Sequence, residues 1–238
     1  MPSILISGAN KGLGLGLTEH YGKKGWKVYA CCRDLDAAPD LATLMDQTDG
    51  RVQTHIVDML DLGSVTRLAS QLKSIPIDIL VNVAGYYGKH IVSEPGGLQE
   101  FGSSDFDEWE KTYRVNCIAP MKMAESLIEN ILLGEHKKII SISSIIGSIG
   151  GNDVGKMYPY RASKAGLNAV VKSMAIDLAA EKITAIALHP GWVKTDMGGP
   201  TADIDVGESI KGMANVIDSL SLNDSGKFYA YDGSELPW

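Results

Sequence analysis

Cysteine is scarce here and badly spaced for covalent or metal work. The 238-residue chain has three, Cys31, Cys32 and Cys117. An odd count without a Cys-x-x-Cys pair argues against a disulfide framework and against a zinc site. Reduced, buried thiols in a cytoplasmic protein are the expectation. The five histidines, His20, His55, His90, His136 and His189, show no metal-ligand spacing. No stretch approaches the ~18 uninterrupted apolar residues of a membrane span. Met1–Gly8 lacks the basic and then apolar segments of a secretion signal. Basic runs are missing as well: 22 Lys and Arg face 29 Asp and Glu, a net charge of -7. Neither nucleic acid nor an anionic membrane is therefore an expected partner. No repeat, low-complexity segment or Pro/Ser linker divides the chain, so residues 1–238 read as one domain.

What is present is a regular alternation. Short apolar, often β-branched runs lie at Ser3–Ile6, Lys27–Cys31, Gln53–Val57, Ile77–Asn82, Lys138–Ser143, Thr184–Leu188 and Lys227–Tyr231. Runs without polar alternation suit strands covered on both faces. Helical patterns separate them at Gly12–Lys24, Leu62–Lys73, Asp105–Leu133, Pro159–Ala180 and Asp203–Ser219. The alternation predicts an α/β fold with a doubly wound, seven-stranded parallel sheet and helices on both faces. Two glycine-rich segments, Gly85–Ser104 and Gly191–Ala202, follow strands and leave the carboxyl edge, where open α/β sheets bind ligands.

The first strand–helix junction reads Gly8-Ala9-Asn10-Lys11-Gly12-Leu13-Gly14. Glycines let backbone N–H groups close on a pyrophosphate at the positive end of a helix. The Gly-Lys-Ser/Thr of an ATP-binding loop is absent, which disfavours an ATPase. The second strand ends Cys31-Cys32-Arg33-Asp34. Asp34 lies at a distance from the glycines that suits the free ribose hydroxyls of NAD. Lys11 and Arg33 are cations that suit the 2′-phosphate of NADP. NADP(H) is the expected dinucleotide, with NAD(H) left open.

Tyr160-Arg161-Ala162-Ser163-Lys164 puts a phenol and an ammonium four apart, on one face of a helix. A nearby cation favours the phenolate and lowers the tyrosine pKa by ~1–3 units from ~10. Alone, the pair is an ordinary feature of an amphipathic helix. Its neighbours change that: Ser143-Ser144 closes the fifth strand, Asn82-Val83-Ala84-Gly85 the fourth and Asp58 the third. Asn116 interrupts a long helical pattern in which it is a weak former.

Together these residues resemble the short-chain dehydrogenase/reductase family over nearly the whole chain. Within it, Asn10–Gly16, Tyr158–Lys164 and the Pro237-Trp238 end are similar to the sniffer-type carbonyl reductases and C-factor proteins. The resemblance implies a Rossmann fold, with a cofactor half over about residues 1–135 and a catalytic half over about 136–238. It implies a reductase of ketones or aldehydes, with Tyr160 as general acid/base and Lys164 binding the nicotinamide ribose and tuning Tyr160. Ser144 polarises the carbonyl and Asn116 holds a relay water. Gly8, Asn10, Lys11, Gly12, Leu13, Gly14 and Arg33 then line the phosphate side of the dinucleotide, and Asp58 with Met59 meets the adenine. Asn82, Ala84 and Gly85 match the family's Asn-Asn-Ala-Gly, with Val83 in place of the second Asn. Pro190, Gly191, Val193 and Thr195 flank the nicotinamide carboxamide. The substrate wall draws on Tyr86, Tyr87, Met157, Trp192 and Met197, with Ile91 and Val92 nearby. A homodimer or homotetramer through Asp105–Leu133 and Pro159–Ala180 is implied. An NAD-dependent alcohol dehydrogenase and a signalling protein with incidental reductase activity stay open beside it.

Overall fold

The computed structural model describes all of residues 1–238. Seven strands form one parallel sheet: β1 (Ser3–Ser7), β2 (Lys27–Cys32), β3 (Val52–Ile56), β4 (Ile79–Asn82), β5 (Lys138–Ile142), β6 (Thr184–His189) and β7 (Phe228–Ala230). Their spatial order is β3-β2-β1-β4-β5-β6-β7. The order reverses direction between β1 and β4, and a switch of this kind opens a crevice at the carboxyl ends of the strands.

Side chains alternate across the sheet and build a core on each face. On β1, Leu5 joins one core and Ile4 and Ile6 the other; on β5, Ile139 and Ile140 divide the same way. The first core is covered by α3 (Leu62–Gln71), α5 (Ala119–Ser126) and α7 (Tyr158–Asp177), through Leu68, Met123 and Leu167. The second is covered by α1 (Gly12–Lys23), α2 (Pro39–Gln47) and α8 (Val206–Ser219), through Leu17, Leu41 and Ile210.

Two elements differ from the sequence expectation. Helix α2 was not expected; Pro39 opens it and Leu41 and Leu44 are its only buried side chains, too short an apolar pattern to stand out. The expected single helix over Asp105–Leu133 is four pieces: α4 (Phe106–Tyr113), a π-turn over Arg114–Ile118, α5 and α6 (Ile128–Leu133). Pro120 accounts for the first break, since it has no N–H to give the Asn116 carbonyl four residues back.

The edge opposite the crevice is tied by one carboxylate. Buried Asp78 accepts from Ser3 N (2.7 Å), Ser3 Oγ (3.1 Å), Glu135 N (2.7 Å) and His136 N (3.2 Å), joining β1, β4 and the entry to β5. Burial alone pushes this carboxyl upward, but the four hydrogen bonds together hold it below the ordinary carboxylate value. Asp78→Ala strands those donors and is expected to cost about 3 kcal/mol at neutral pH by denaturant unfolding. A depressed folded value stabilises above the unfolded carboxylate range and is lost as pH falls through it. The wild-type advantage over Asp78→Ala therefore shrinks in acid; an advantage that holds constant from pH 7 to pH 2 would refute this account.

Candidate active site

The glycine turn after β1 is shaped by close approach. Gly8 has φ +68°, and a Cβ there would lie 2.8 Å from the Ala84 Cα after β4. A Cβ on Gly14 would lie 2.0 Å from the Gly8 carbonyl oxygen. The first turn of α1 thus folds onto β1 with room only for backbone, leaving its N-terminal amides facing the crevice. Ser7 Oγ accepts from Val83 N (3.0 Å) and Ala84 N (3.2 Å), fastening the end of β4 to β1. Asn82 is buried, and neither its Nδ2 nor its Oδ1 has a partner in the chain. Buried amides are ordinarily satisfied, so a polar ligand in this crevice fits the residues present.

The cation pair is less uniform than the sequence suggests. Arg33 is exposed, while Asp34 Oδ1 turns into its own loop, accepting from Asp36 N (2.9 Å) and Ala37 N (3.4 Å). Lys11 reaches across the crevice mouth to Asp196, Nζ to Oδ2 2.7 Å. Asp58 Oδ1 accepts from Leu60 N (2.9 Å) at the start of the connection to α3, beside buried Met59.

At the end of β5 the two serines separate. Ser143 Oγ donates to Asn168 Oδ1 (2.6 Å) on α7 and is buried. Ser144 caps the short 3₁₀ turn Ile145–Gly147, its Oγ accepting from Ile146 N at 3.2 Å, and it faces Tyr160. Position alone did not separate the two hydroxyls; the Asn168 partner does.

Tyr160 and Lys164 lie on the first turns of α7. Lys164 is 4% exposed; its Nζ donates to the Ile142 carbonyl (2.8 Å) and stands 5.8 Å from the centroid of the Tyr160 ring. Burial pulls the ammonium down to about 8. The expectation that Lys164 would make the phenol acidic is corrected here. Burial instead pushes Tyr160 up to about 12, with Ser144 alone pulling the other way. Desolvation outweighs the cation because the phenol loses water and Lys164 is itself shielded and held by a carbonyl. At neutral pH Tyr160 therefore holds its proton.

Asn116 lies fully buried in the π-turn. Its Oδ1 accepts from Tyr86 N (2.7 Å), and its Nδ2 donates to Tyr86 O (2.7 Å) and Ser163 Oγ (3.0 Å). The side chain is consumed in holding the loop after β4 against α7, so it has no donor left for a water. Ser163, which donates onward to the Tyr160 carbonyl (2.8 Å), went unnoticed in the sequence.

The two glycine-rich loops meet over this end of α7. Tyr87 lies on Tyr160, ring centroids 4.9 Å apart, with its hydroxyl donating to the Gly97 carbonyl (2.8 Å). Tyr86 turns away, its hydroxyl donating to Glu108 Oε2 (2.6 Å) on α4. Met157 is buried at the N-terminal end of α7. Met197 Cε lies 3.7 Å from where a Gly85 Cβ would be, and Thr195 Cγ2 is 3.4 Å from the corresponding point on Gly12. Trp192 is 41% exposed and donates to the Gly198 carbonyl (2.9 Å). Val193 is buried, and the Pro190 carbonyl before Gly191 accepts from Ser209 Oγ (2.6 Å). His189, the last residue of β6, has a buried Nδ1 without a partner, and burial pulls its ring down to about 4.

Comparison with known proteins agrees with this geometry. The short chain dehydrogenase family model matches residues 2–204. The chain is 32% identical to a 1-hydroxy-2-glutathionyl-2-methyl-3-butene dehydrogenase of Rhodococcus sp. (strain AD45), covering 100% of both chains. It is 37% identical to C-signal of Myxococcus xanthus, over 68% of this chain and 93% of that one. The carbonyl reductase Sniffer of D. melanogaster superposes with a TM-score of 0.89 at 31% identity, covering 100% of both. An NADPH-bound carbonyl reductase from chicken fatty liver gives 0.90 at 30%, covering 100% of this chain and 99% of that one.

The shielding of Lys164 has a direct readout. Its ammonium should titrate near pH 8 in the free protein, against an ordinary lysine near ~10.4. Side-chain NMR of Lys164, assigned by comparison with Lys164→Met, checks this; a midpoint above 10 would contradict the burial argument.

Proposed function

The chain belongs to the short chain dehydrogenase family, and from that premise we propose an NADPH-dependent oxidoreductase that reduces a ketone or aldehyde to an alcohol. The observation carrying this reading is a protonated phenol faced by the Ser144 hydroxyl, with the buried Lys164 ammonium one helical turn on, 5.8 Å from the ring centroid. Ser144 Oγ accepts from Ile146 N and its hydroxyl lies toward the Tyr160 phenol, from which its proton can turn to a substrate oxygen. Tyr160 gives its proton to the same oxygen as negative charge develops there. Nicotinamide dinucleotide, when bound, supplies the hydride. The glycine turn, the unpartnered Asn82 amide and Lys164 would hold it, together with the Pro190–Thr195 segment.

Cofactor choice rests on the end of β2. Arg33 is exposed and available to a 2′-phosphate, whereas Asp34 has one oxygen committed to its own turn. Lys11 can exchange Asp196 for a phosphate cheaply, since an exposed ion pair is worth roughly 0–1 kcal/mol. The NADPH held by the chicken reductase agrees with this choice. Tyr87, Met157, Met197 and Trp192 make an apolar, aromatic surround that suits an apolar or aromatic carbonyl compound.

Self-association through Asp105–Leu133 and Pro159–Ala180 is part of the reading, and the first of these segments carries exposed apolar side chains. Phe106, Tyr113 and Ile118 are exposed and line, with Leu60, Trp109 and Arg114, a groove of about 730 Å³. The likeness to C-signal favours a second reading, in which a signalling role is primary and reductase activity incidental. That role would survive loss of the Tyr160 hydroxyl.

Tyr160→Phe is expected to lower kcat for carbonyl reduction by about 10²- to 10⁴-fold. NADPH binding, followed by fluorescence, stays as in wild type. A Tyr160→Phe variant that reduces carbonyls at the wild-type rate would dismiss Tyr160 as the acid. Arg33→Ala is expected to raise the KM for NADPH about tenfold or more, through loss of a charge-assisted hydrogen bond, and to leave that for NADH unchanged. Equal effects on both cofactors would remove the NADPH preference.

A further inference from the structure

Arg161 follows Tyr160 in the first turn of α7, where a cation is disfavoured by the positive end of the helix dipole. Its guanidinium is half-buried, and all of its hydrogen bonds go to main-chain carbonyls of two separate segments. Nη1 donates to the Ile146 carbonyl (3.0 Å). Nε is shared between the Gly155 (3.0 Å) and Lys156 (3.1 Å) carbonyls.

Both segments govern the site. Ile146 donates its N–H to Ser144 Oγ and its carbonyl, one peptide on, accepts from Arg161, so holding that carbonyl restrains the short turn on which Ser144 Oγ is seated. Gly155, Lys156 and Met157 form three successive residues at positive φ, +69°, +56° and +53°. Two of them carry side chains that resist this conformation, so the turn needs outside support. Besides Arg161, Met157 N donates to the Leu98 carbonyl (2.9 Å), and Lys156 Nζ pairs with Glu100 at 2.7 Å. The turn delivers the chain into Tyr160 and places Met157 at its flank.

We propose that Arg161 is a positioning residue. One planar guanidinium staples the Ser144 turn to the strained entry of α7, and so sets the spacing of the Ser144 and Tyr160 hydroxyls around the substrate oxygen. A lysine is a poor substitute, since a single ammonium cannot present two donors in fixed directions to two segments. The proposal rests on the carbonyl-reductase reading above.

The test compares wild type, Arg161→Ala and Arg161→Lys. Arg161→Ala is expected to lower kcat about 100-fold, the scale of an ångström misplacement of reacting groups, with NADPH affinity by fluorescence unchanged. Added guanidinium ion restores part of the rate to Arg161→Ala, and Arg161→Lys stays low. A rate within twofold of wild type, an NADPH affinity that falls as far as kcat, or indifference to guanidinium each overturns the proposal. Should the alanine variant fail to fold, Arg161→Lys is read alone. A folded lysine variant with wild-type NADPH affinity and a kcat reduced at least tenfold supports the staple; any other outcome sinks it. Should the wild-type chain reduce no carbonyl compound, the functional reading fails separately. Hydrogen exchange then tests the staple: faster exchange at both Ile145–Gly147 and Gly155–Met157 in Arg161→Ala or Arg161→Lys supports it, and unchanged exchange at either refutes it.

Discussion

A shielded ammonium with a single protein partner is the constraint around which this site is arranged. Lys164 has three N–H bonds, and the chain fills one of them, at the Ile142 carbonyl. Keeping a lysine out of water costs enough to pull it down to about 8, and such shifts collect where groups are held ready for chemistry. The neighbouring backbone is fitted to it closely. A Cβ on Gly147 would come within 2.7 Å of the Lys164 Cβ, so the turn behind Ser144 lies directly against α7 at the lysine. The end of β5, the Ser144 turn and α7 are therefore one packed unit, and the lysine, serine and tyrosine cannot shift independently.

Desolvation also works on the phenol, moving it further from ionisation than an ordinary tyrosine. The attraction of Lys164 for a phenolate was the natural reading of Tyr-x-x-x-Lys, because spacing is visible in a sequence and desolvation is not. The fold desolvates both groups, so the phenol is a weaker acid and the ammonium a stronger one than in water. For a reductase this is the useful state, since the proton needed by the developing alkoxide is already in place at neutral pH. A ligand bringing polar groups to Lys164 supplies partners that the chain withholds. The acid–base behaviour of the free protein is thus a starting point that dinucleotide binding moves.

The parts legible in the sequence are those set by local pattern. Short apolar runs located the strands other than edge strand β3, whose Val52–Ile56 is mostly polar, and the glycine spacing located the turn after β1, where a Cβ on Gly8 or Gly14 would meet backbone. The parts that were not legible depend on contacts between distant segments. Local pattern leaves Ser143 and Ser144 alike, and only the family resemblance singled out Ser144; in the fold Asn168, 25 residues on from Ser143, takes Ser143. Tyr86 and Tyr87 are adjacent, yet Glu108 draws one away and Gly97 anchors the other against Tyr160. The break in the long helix was marked by Pro120, whose effect falls on Asn116 four residues earlier, where helical periodicity gives no sign of it.

Arg161 shows the same limit from the other side. Its number in the chain says only that it follows the tyrosine, and an arginine in the first turn of a helix ordinarily faces solvent. In the fold it satisfies three carbonyls that regular secondary structure leaves open, one behind Ser144 and two in a turn of left-handed residues. Those carbonyls belong to segments that touch the reacting groups without carrying any reactive side chain. Precision at Tyr160 and Ser144 therefore depends on backbone held in a conformation that propensity alone would reject. Strain of this kind persists only where surrounding contacts over-determine it, and here the guanidinium is the contact shared by both segments.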